Sequence, residues 1–369
     1  MIKQLEVSNL NNNQSYCIEF NNDLNILTGK NGSGKTTLLK LLWYLLSGKI
    51  DEAISEINFD YVKLETSNFI LTIDNSSIIK YEYKDENNNW VEDEVEQWDD
   101  NISNKSLMER RAQQEIKRKK LDYISKLDKS IFFPTFRRIE GGYNSSTNLY
   151  LRRRFHEEEL DEVMSRFSKN LSNENHKFIT SISTNDIRQL LSEKYAYISD
   201  EINTLHSRMN QYISDEITKM GLENESAEDI LKKIKDKVDE AEKEKNKRFT
   251  NFKVLSETVE YLFKDKGIKL NDSITLGDST AKAFSSNLLS AGEKQMLSFL
   301  CYNLFFDNTS IFIDEPEISL HVDWQRMLMR ILFQQKNTNQ YIITTHSPFI
   351  LSKYSDKEIV LDDDKGGGF

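Results

Sequence analysis

Residues 29–36 read GKNGSGKT, a glycine-rich octapeptide ending in Lys-Thr. It fits the pattern GxxxxGK[ST], lying between an apolar strand-like run (LNILT, 24–28) and a leucine-rich helix-like run. Gly29, Gly32 and Gly34 allow tight turns, so that backbone N–H groups converge on phosphate oxygens, and the helix start adds the positive end of its dipole. Asn31 and Ser33 complete the wrapping loop. Lys35 is spaced to reach the β- and γ-phosphates, Thr36 offers a hydroxyl to Mg2+, and Thr37 is placed for the α-phosphate. An ordinary glycine-rich turn would not require Lys35.

Cleaving a nucleoside triphosphate also needs a carboxylate for the metal and a group that positions water. The run SIFIDEPE at 310–317 supplies both at the end of an apolar strand: Asp314 for the metal, and Glu315, one position further on, as base or water-orienting group. An apolar run ending in Asp-Glu means little alone; paired with the glycine loop it gains force. A second apolar strand ends in TTHSP at 344–348, where His346 can donate a hydrogen bond to a γ-phosphate. LSAGEKQ at 289–295 describes an exposed helix start able to hold an anion, without saying which one.

Taken in order, GKNGSGKT, LSAGEKQ, FIDEPE and TTHS resemble the Walker A, signature, Walker B and switch-histidine motifs of the ABC-type ATPases. Ser319-Leu320-His321 is similar to the Leu-His form of the soluble SMC, RecF and OLD branch, whereas transport ATPases have Ser-Ala-Leu-Asp there. The resemblance implies ATP and Mg2+ as ligands, and a head-to-tail homodimer in which Ser290 and the Gly292 backbone bind the γ-phosphate of a partner copy's ATP. It implies a slow ATPase acting as a switch. Ala291 replaces the first of the two usual glycines, which is tolerable if only the Gly292 backbone approaches the phosphate. PTFRRIE at 134–140 resembles a Pro-x-x-Arg element of the same branch, so Arg137 or Arg138 either senses nucleotide or a neighbouring subunit, or satisfies surface acids.

Elements must bring these motifs together. IKQLEV and YCIEF, separated by NLNNNQS, predict a hairpin-like start, and FDYVKLE, NFILTI and IIKYEY predict an antiparallel layer. Leu38, Leu39, Leu41, Leu42, Leu45 and Leu46 mark a helix buried on most sides and stopped at Gly48. Charged helical sequence begins near residue 100, interrupted by the apolar strand of SIFFPTFRRIEGG at 130–142. Ile198, Ile202, Leu205, Met209, Ile213, Ile217 and Met220 form one stripe on a helix about 33 Å long, stopped at Gly221. Ser226 and Asp229 start the next helix, whose stripe is Ile230, Ile234, Val238 and Ala241. Such a pair either projects as a hairpin or lies flat on the body. Strands over 310–314 and 340–345 flank a helix over 324–335. The expected fold is α/β: an ABC-type ATPase head, with a mixed sheet carrying the phosphate loop and an antiparallel β layer, and a large helical insertion of coiled-coil character. The expected divisions are 1–98, 99–267 and 268–369.

The 369 residues are 38% hydrophobic with net charge −11, a globular profile that argues against a general nucleic-acid coat. No membrane span or signal peptide is evident, which predicts a cytoplasmic protein. Cys17 and Cys301 read as buried free thiols. Basic clusters at 109–120 and 151–154 read either as grips for nucleic-acid phosphates or an acidic partner, or as solvated faces. The resemblance extends to stand-alone ATPases of bacterial anti-phage systems of the Septu, retron and PARIS kinds. No nuclease module follows the switch histidine before Phe369, so a separate effector protein, a nuclease by preference, is expected. The alternative is a RecF- or SMC-like ATPase that clamps DNA in repair or chromosome maintenance; a transporter motor fits less well.

Overall fold

The computed structural model describes residues 1–11, 14–74, 78–85, 87–96, 107–135, 166, 168–179, 184–219, 227–263 and 290–361. The described chain falls into two compact units, one of Met1–Ile182 with Phe306–Phe369 and one of Ser183–Phe305.

The first unit contains two sheets. Strands β1 (Ile2–Leu10) and β2 (Gln14–Glu19) form the expected opening hairpin, and β4 (Tyr61–Thr66), β5 (Phe69–Asp74), β6 (Ile78–Lys84) and β7 (Trp90–Glu96) extend it into an antiparallel sheet of order β2-β1-β4-β5-β6-β7. The second sheet has order β12-β3-β11-β10-β8-β9, from β3 (Leu24–Thr28), β8 (Ser130–Phe133), β9 (His176–Phe178), β10 (Ser310–Asp314), β11 (Gln340–Thr344) and β12 (Glu358–Val360). All of its pairs are parallel. The expected mixture of strand directions is thus sorted into two separate sheets. Strands β10 and β11 are buried at every position, which explains why SIFID and QYIIT are continuous apolar runs rather than alternating ones.

Helix α1 (Lys35–Leu46) fills the space between the layers. Nine of its residues are buried, and its leucines share one core with Ile2, Leu5, Val62, Leu64 and Leu71 of the antiparallel sheet and Phe132, Phe312 and Ile342 of the parallel one. Gln340 joins the two sheets at the backbone. Its side chain accepts from Ile2 N (2.9 Å) and donates to Ile2 O (2.7 Å) and Asn21 O (2.9 Å). Cys301 is buried as expected, but Cys17 is exposed: β2 is an edge strand, and position 17 lies on its outward face beside Gln4.

Helices α2 (Ile50–Glu56) and α3 (Leu107–Leu127) complete the regular structure described before β8. The compact units do not follow the composition change near residue 100. β8 pairs in parallel with both β10 and β9, and α3 meets β7, so residues past 98 belong to the sheet unit.

The second unit is helical: α4 (Thr184–Lys219), α5 (Ala227–Arg248), α6 (Thr250–Leu262) and α7 (Ala291–Phe305). Arg248 pairs with Glu201, so the end of α5 lies beside the middle of α4 in an antiparallel hairpin. The α5 stripe is as expected, with Ile230 buried and Ile234, Val238 and Ala241 half-buried. On α4 the stripe turns near its end, where Glu216 is buried and Ile217 is exposed. Helix α7 packs on α4 and α6, partly through Phe305 against Phe252, so the LSAGEKQ helix belongs with the hairpin rather than with the sheets. Gly221, Ser226, Arg137, Arg138 and the 151–154 cluster lie outside the described residues.

Candidate functional site

The phosphate loop links the end of β3 to α1. Gly29, Gly32 and Gly34 all have positive φ. At Gly34 φ is +74°, which strains any side chain, and a Cβ would meet Gln14 Oε1 at 2.7 Å, so the Gln14 amide that lies on the loop would have to shift. The loop lies against the opening hairpin: Tyr16 Oη donates to Ser33 O (2.9 Å), Gln14 Nε2 to Gly32 O (3.2 Å), and Asn11 Nδ2 to Thr37 Oγ1 (3.4 Å). Lys35 is buried and folds back, its Nζ donating to the carbonyls of Gly29 and Lys30, both at 2.9 Å. Asn31 is exposed and Ser33 buried. Helix α1 begins without a side-chain cap, which leaves its first-turn amides to other acceptors.

Parallel pairing of β3, β11, β10 and β8 aligns their C-terminal ends, and this alignment gathers the site. Asp314, 1% exposed, ends β10. Thr36 Oγ1 lies 3.0 and 3.1 Å from its two oxygens, Thr344 Oγ1 donates to Oδ1 (2.5 Å), and Thr135 Oγ1 donates to Oδ2. Thr36 and Asp314, 278 residues apart, are therefore brought together. A hydroxyl and a carboxylate are hard oxygen donors suited to Mg2+. Among the described residues there is no group of three His, Cys, Asp or Glu side chains that could hold a metal without further ligands.

Glu315 has φ +45° and ψ +58°, unusual for a side chain other than glycine. Pro316 disfavours the right-handed helical region at the preceding residue, and Glu315 N donates to both Thr344 O and Thr344 Oγ1 at 3.1 Å. This bends the chain out of the strand and brings Glu315 Oε1 to 3.9 Å from His346 Nε2. His346 is the more exposed of the two side chains, at 40% against 21%.

Three polar residues of this site went unassigned in the sequence. Thr344 and Thr135 stand at the ends of apolar strands, where a hydroxyl next to a buried acid is the only signal. Glu317 accepts from Thr345 Oγ1 (2.8 Å) and from His346 N (2.5 Å). In the Leu-His element, Leu320 is buried while His321 is exposed and caps α8 (Val322–Gln334), with Asp323 N 3.5 Å from its Nδ1.

Ser290 and Gly292 are not part of the sheet unit. Ser290 precedes α7 and forms a capping box with Glu293: Ser290 N donates to Glu293 Oε2 (2.7 Å), and Glu293 N to Ser290 Oγ (3.4 Å). Of the 109–120 cluster, side chains are described from Glu115 onward. Lys117 pairs with Asp51 (2.5 Å), Lys119 with Glu115 (2.8 Å) and Lys120 with Asp93 (2.8 Å), as on a structural or solvated face. No helix among the described residues is long and apolar enough to cross a membrane.

A glycine loop at the end of a parallel strand, feeding a buried helix and facing an acid at the end of a second strand, defines a P-loop ATPase head. The chain belongs to the family described as "AAA domain, putative AbiEii toxin, Type IV TA system", whose model matches residues 24–352. Over 75 residues it is 35% identical to Endonuclease GajA of Bacillus cereus (strain VD045), a stretch covering 19% of this chain and 13% of that protein. Two solved structures are similar at low identity. The Smc head domain with an extended coiled coil, bound to the C-terminal domain of ScpA, from Pyrococcus furiosus, is 13% identical, with 95% of this chain and 91% of that chain covered and a TM-score of 0.37. The recombination mediator protein RecF with ATP is 14% identical, with 94% and 92% covered and a TM-score of 0.35.

Proposed function

We infer that this chain is an ATP-binding and ATP-hydrolysing switch whose nucleotide-dependent head-to-tail dimerisation controls a separate effector protein in bacterial anti-phage defence. The observation that carries the catalytic part is the convergence of Thr36, in the first turn of α1, with Asp314, Glu315 and His346 at the ends of the adjacent parallel strands β10 and β11. In this reading residues 29–37 wrap the phosphates: the backbone around Gly29, Asn31, Gly32, Ser33 and Gly34 donates to them, Lys35 leaves the loop carbonyls for the β- and γ-phosphates, and Thr37 meets the α-phosphate. Thr36 and Asp314 would hold Mg2+, which supplies positive charge to the phosphate oxygens when bound. Glu315 orients the attacking water, and His346 senses the γ-phosphate. Ser290 and the Gly292 amide, at the start of α7, serve the nucleotide of a second copy.

The longer outputs rest on kinship. The short match to an endonuclease favours a nuclease as the controlled effector, and the helical unit, with α7 and the long hairpin in one body, is suited to carry a nucleotide signal. Of the basic clusters, the lysines described in 109–120 are engaged by acids, which favours a protein effector over nucleic acid as the immediate partner.

The test is Glu315→Gln. Hydrolysis is expected to fall on the order of 10²- to 10⁴-fold while ATP binding survives. An ATP-bound dimer should then accumulate, measured by light scattering with ATP and Mg2+. Unchanged turnover would remove Glu315 from the chemistry; a monomer at saturating ATP would remove the dimer switch.

A further inference from the structure

Beyond the groups aimed at the nucleotide, side chains tie the turn after β10 to the segment after β11. Glu317 sits in the 3-10 turn Pro316–Ile318, two residues past Glu315. Its Oε1 accepts from His346 N at 2.5 Å and its Oε2 from Thr345 Oγ1 at 2.8 Å. Gln325, buried on α8, makes the second tie. Its Nε2 donates to Leu320 O (2.7 Å), with Glu317 O further away (3.4 Å), and its Oε1 accepts from Ser347 Oγ (2.6 Å). Ser347 in turn caps α9 (Pro348–Leu351), accepting from Phe349 N at 3.2 Å.

Three successive residues, Thr345, His346 and Ser347, are thus fastened to the turn that carries Glu315. Only the His346 imidazole projects from this fastening. At 3.9 Å from Glu315 Oε1, its Nε2 is beyond direct hydrogen-bond length but at a separation that a shared oxygen atom can bridge.

We propose that Glu317 is the positioning residue of His346, with Gln325 as a second anchor, holding residues 345–347 so that imidazole and Glu315 carboxylate face one site. The inference rests on reading His346 as the γ-phosphate sensor. Glu317 acts by geometry more than by charge. A glutamine could keep the His346 N contact through its amide oxygen and place its NH2 against Thr345 Oγ1, which already accepts from Ser347 N (2.9 Å) and has a second lone pair to offer. Alanine makes neither contact.

The experiment uses the full chain with ATP and Mg2+, comparing Glu317→Ala, Glu317→Gln, His346→Ala and the Glu317→Ala/His346→Ala double variant. The His346 ring signal is also followed by NMR of histidine-labelled protein, assigned by its loss in His346→Ala. Glu317→Ala is expected to lower kcat by up to about 10²-fold with KM for ATP unchanged, as misplacement of a catalytic group does. It should also shift the His346 ring signal. Glu317→Gln should restore both readouts, and in the His346→Ala background Glu317→Ala should cost nothing more. An unmoved ring signal in Glu317→Ala, glutamine as damaging as alanine, or additive losses would each overturn the proposal. If His346→Ala leaves kcat unchanged, the sensor reading falls, while the ring signal still decides whether Glu317 places the imidazole.

Discussion

The two units of this molecule solve different problems, and the sheet unit uses about twice as much chain as the helical one. In the sheet unit, polar groups are driven into the interior and interlocked: Asp314 takes three threonine hydroxyls, and Gln340 bonds backbone from two segments. In the α4–α5 hairpin of the helical unit, a narrow apolar stripe does the packing, and most remaining α5 positions are exposed. Buried polar groups without partners are costly, so each interior contact in the sheet unit constrains its neighbours. A stripe constrains only every third or fourth residue. The closely interlocked groups Thr36, Asp314, Glu315 and His346 therefore sit in the first unit, and variation in charge and length can sit along the hairpin of the second.

The contrast is broken most directly by cutting into the first core. Trp43, fully buried on α1, lies against Phe178 and Phe132 with ring centroids 4.8 and 6.2 Å away. Trp43→Ala should cost about 3–5 kcal/mol, the range for deleting a large buried aromatic side chain. The loss should appear in hydrogen exchange of the β10 and β11 amides, and Val238→Ala, on the half-buried α5 stripe, should cost far less. Equal losses would mean that the stripe is packed as tightly as the core.

A smaller effect comes from acid. His176 is fully buried on β9, its Nε2 donating to Ser125 O (2.7 Å) and its Nδ1 2.7 Å from Ser130 Oγ, which donates to it when the ring is neutral. Burial pushes its pKa down to about 4, against the opposing influence of the Ser125 carbonyl and Asp128. The unfolded chain takes up a proton near pH 6.5 while the folded chain does not, so stability falls as pH drops from about 6.5 to about 4. The full contribution is about 3 kcal/mol. Urea unfolding at successive pH values should show this limb, and His176→Gln should flatten it, whatever it costs at neutral pH. A limb unchanged in His176→Gln would assign the acid sensitivity to other groups.

Legibility followed the same division. SIFID and QYIIT were readable as strands because both faces are buried and the runs are continuous, and the chemical motifs stood at their ends. β7 was obscured because WVEDEVE is mostly acidic and buries Val95 as its main core residue, and β9 because three residues carry no period. The boundary near residue 100 misled because charged helical sequence there includes α3 and then returns through β8 to the parallel sheet. Thr36, Asp314, Glu315 and His346 are individually recognisable by type and spacing. Glu317, Thr135 and Thr344 are not, since their roles exist only once β8, β10 and β11 lie side by side.

The smallest expected effect tests whether the hairpin needs anything besides its stripe. Arg248 closes α5 onto α4 by pairing with Glu201, with Glu244 at 3.4 Å, and Tyr197 Oη donates to the same Glu201 carboxylate (3.0 Å). The Arg248 contact comes first among the influences holding the Glu201 carboxyl below its ordinary range, followed by the Tyr197 hydrogen bond. Solvent and salt screen such surface pairs, so Arg248→Ala should leave the melting midpoint of the chain unresolved from wild type at physiological ionic strength. The Glu201 titration, followed by NMR, should rise toward the ordinary glutamate range. A midpoint several degrees lower would show that this pair, and not the stripe of Ile230, Ile234 and Val238, fixes the register of the two helices. The helical unit would then owe its order to a specific polar contact, as the sheet unit does.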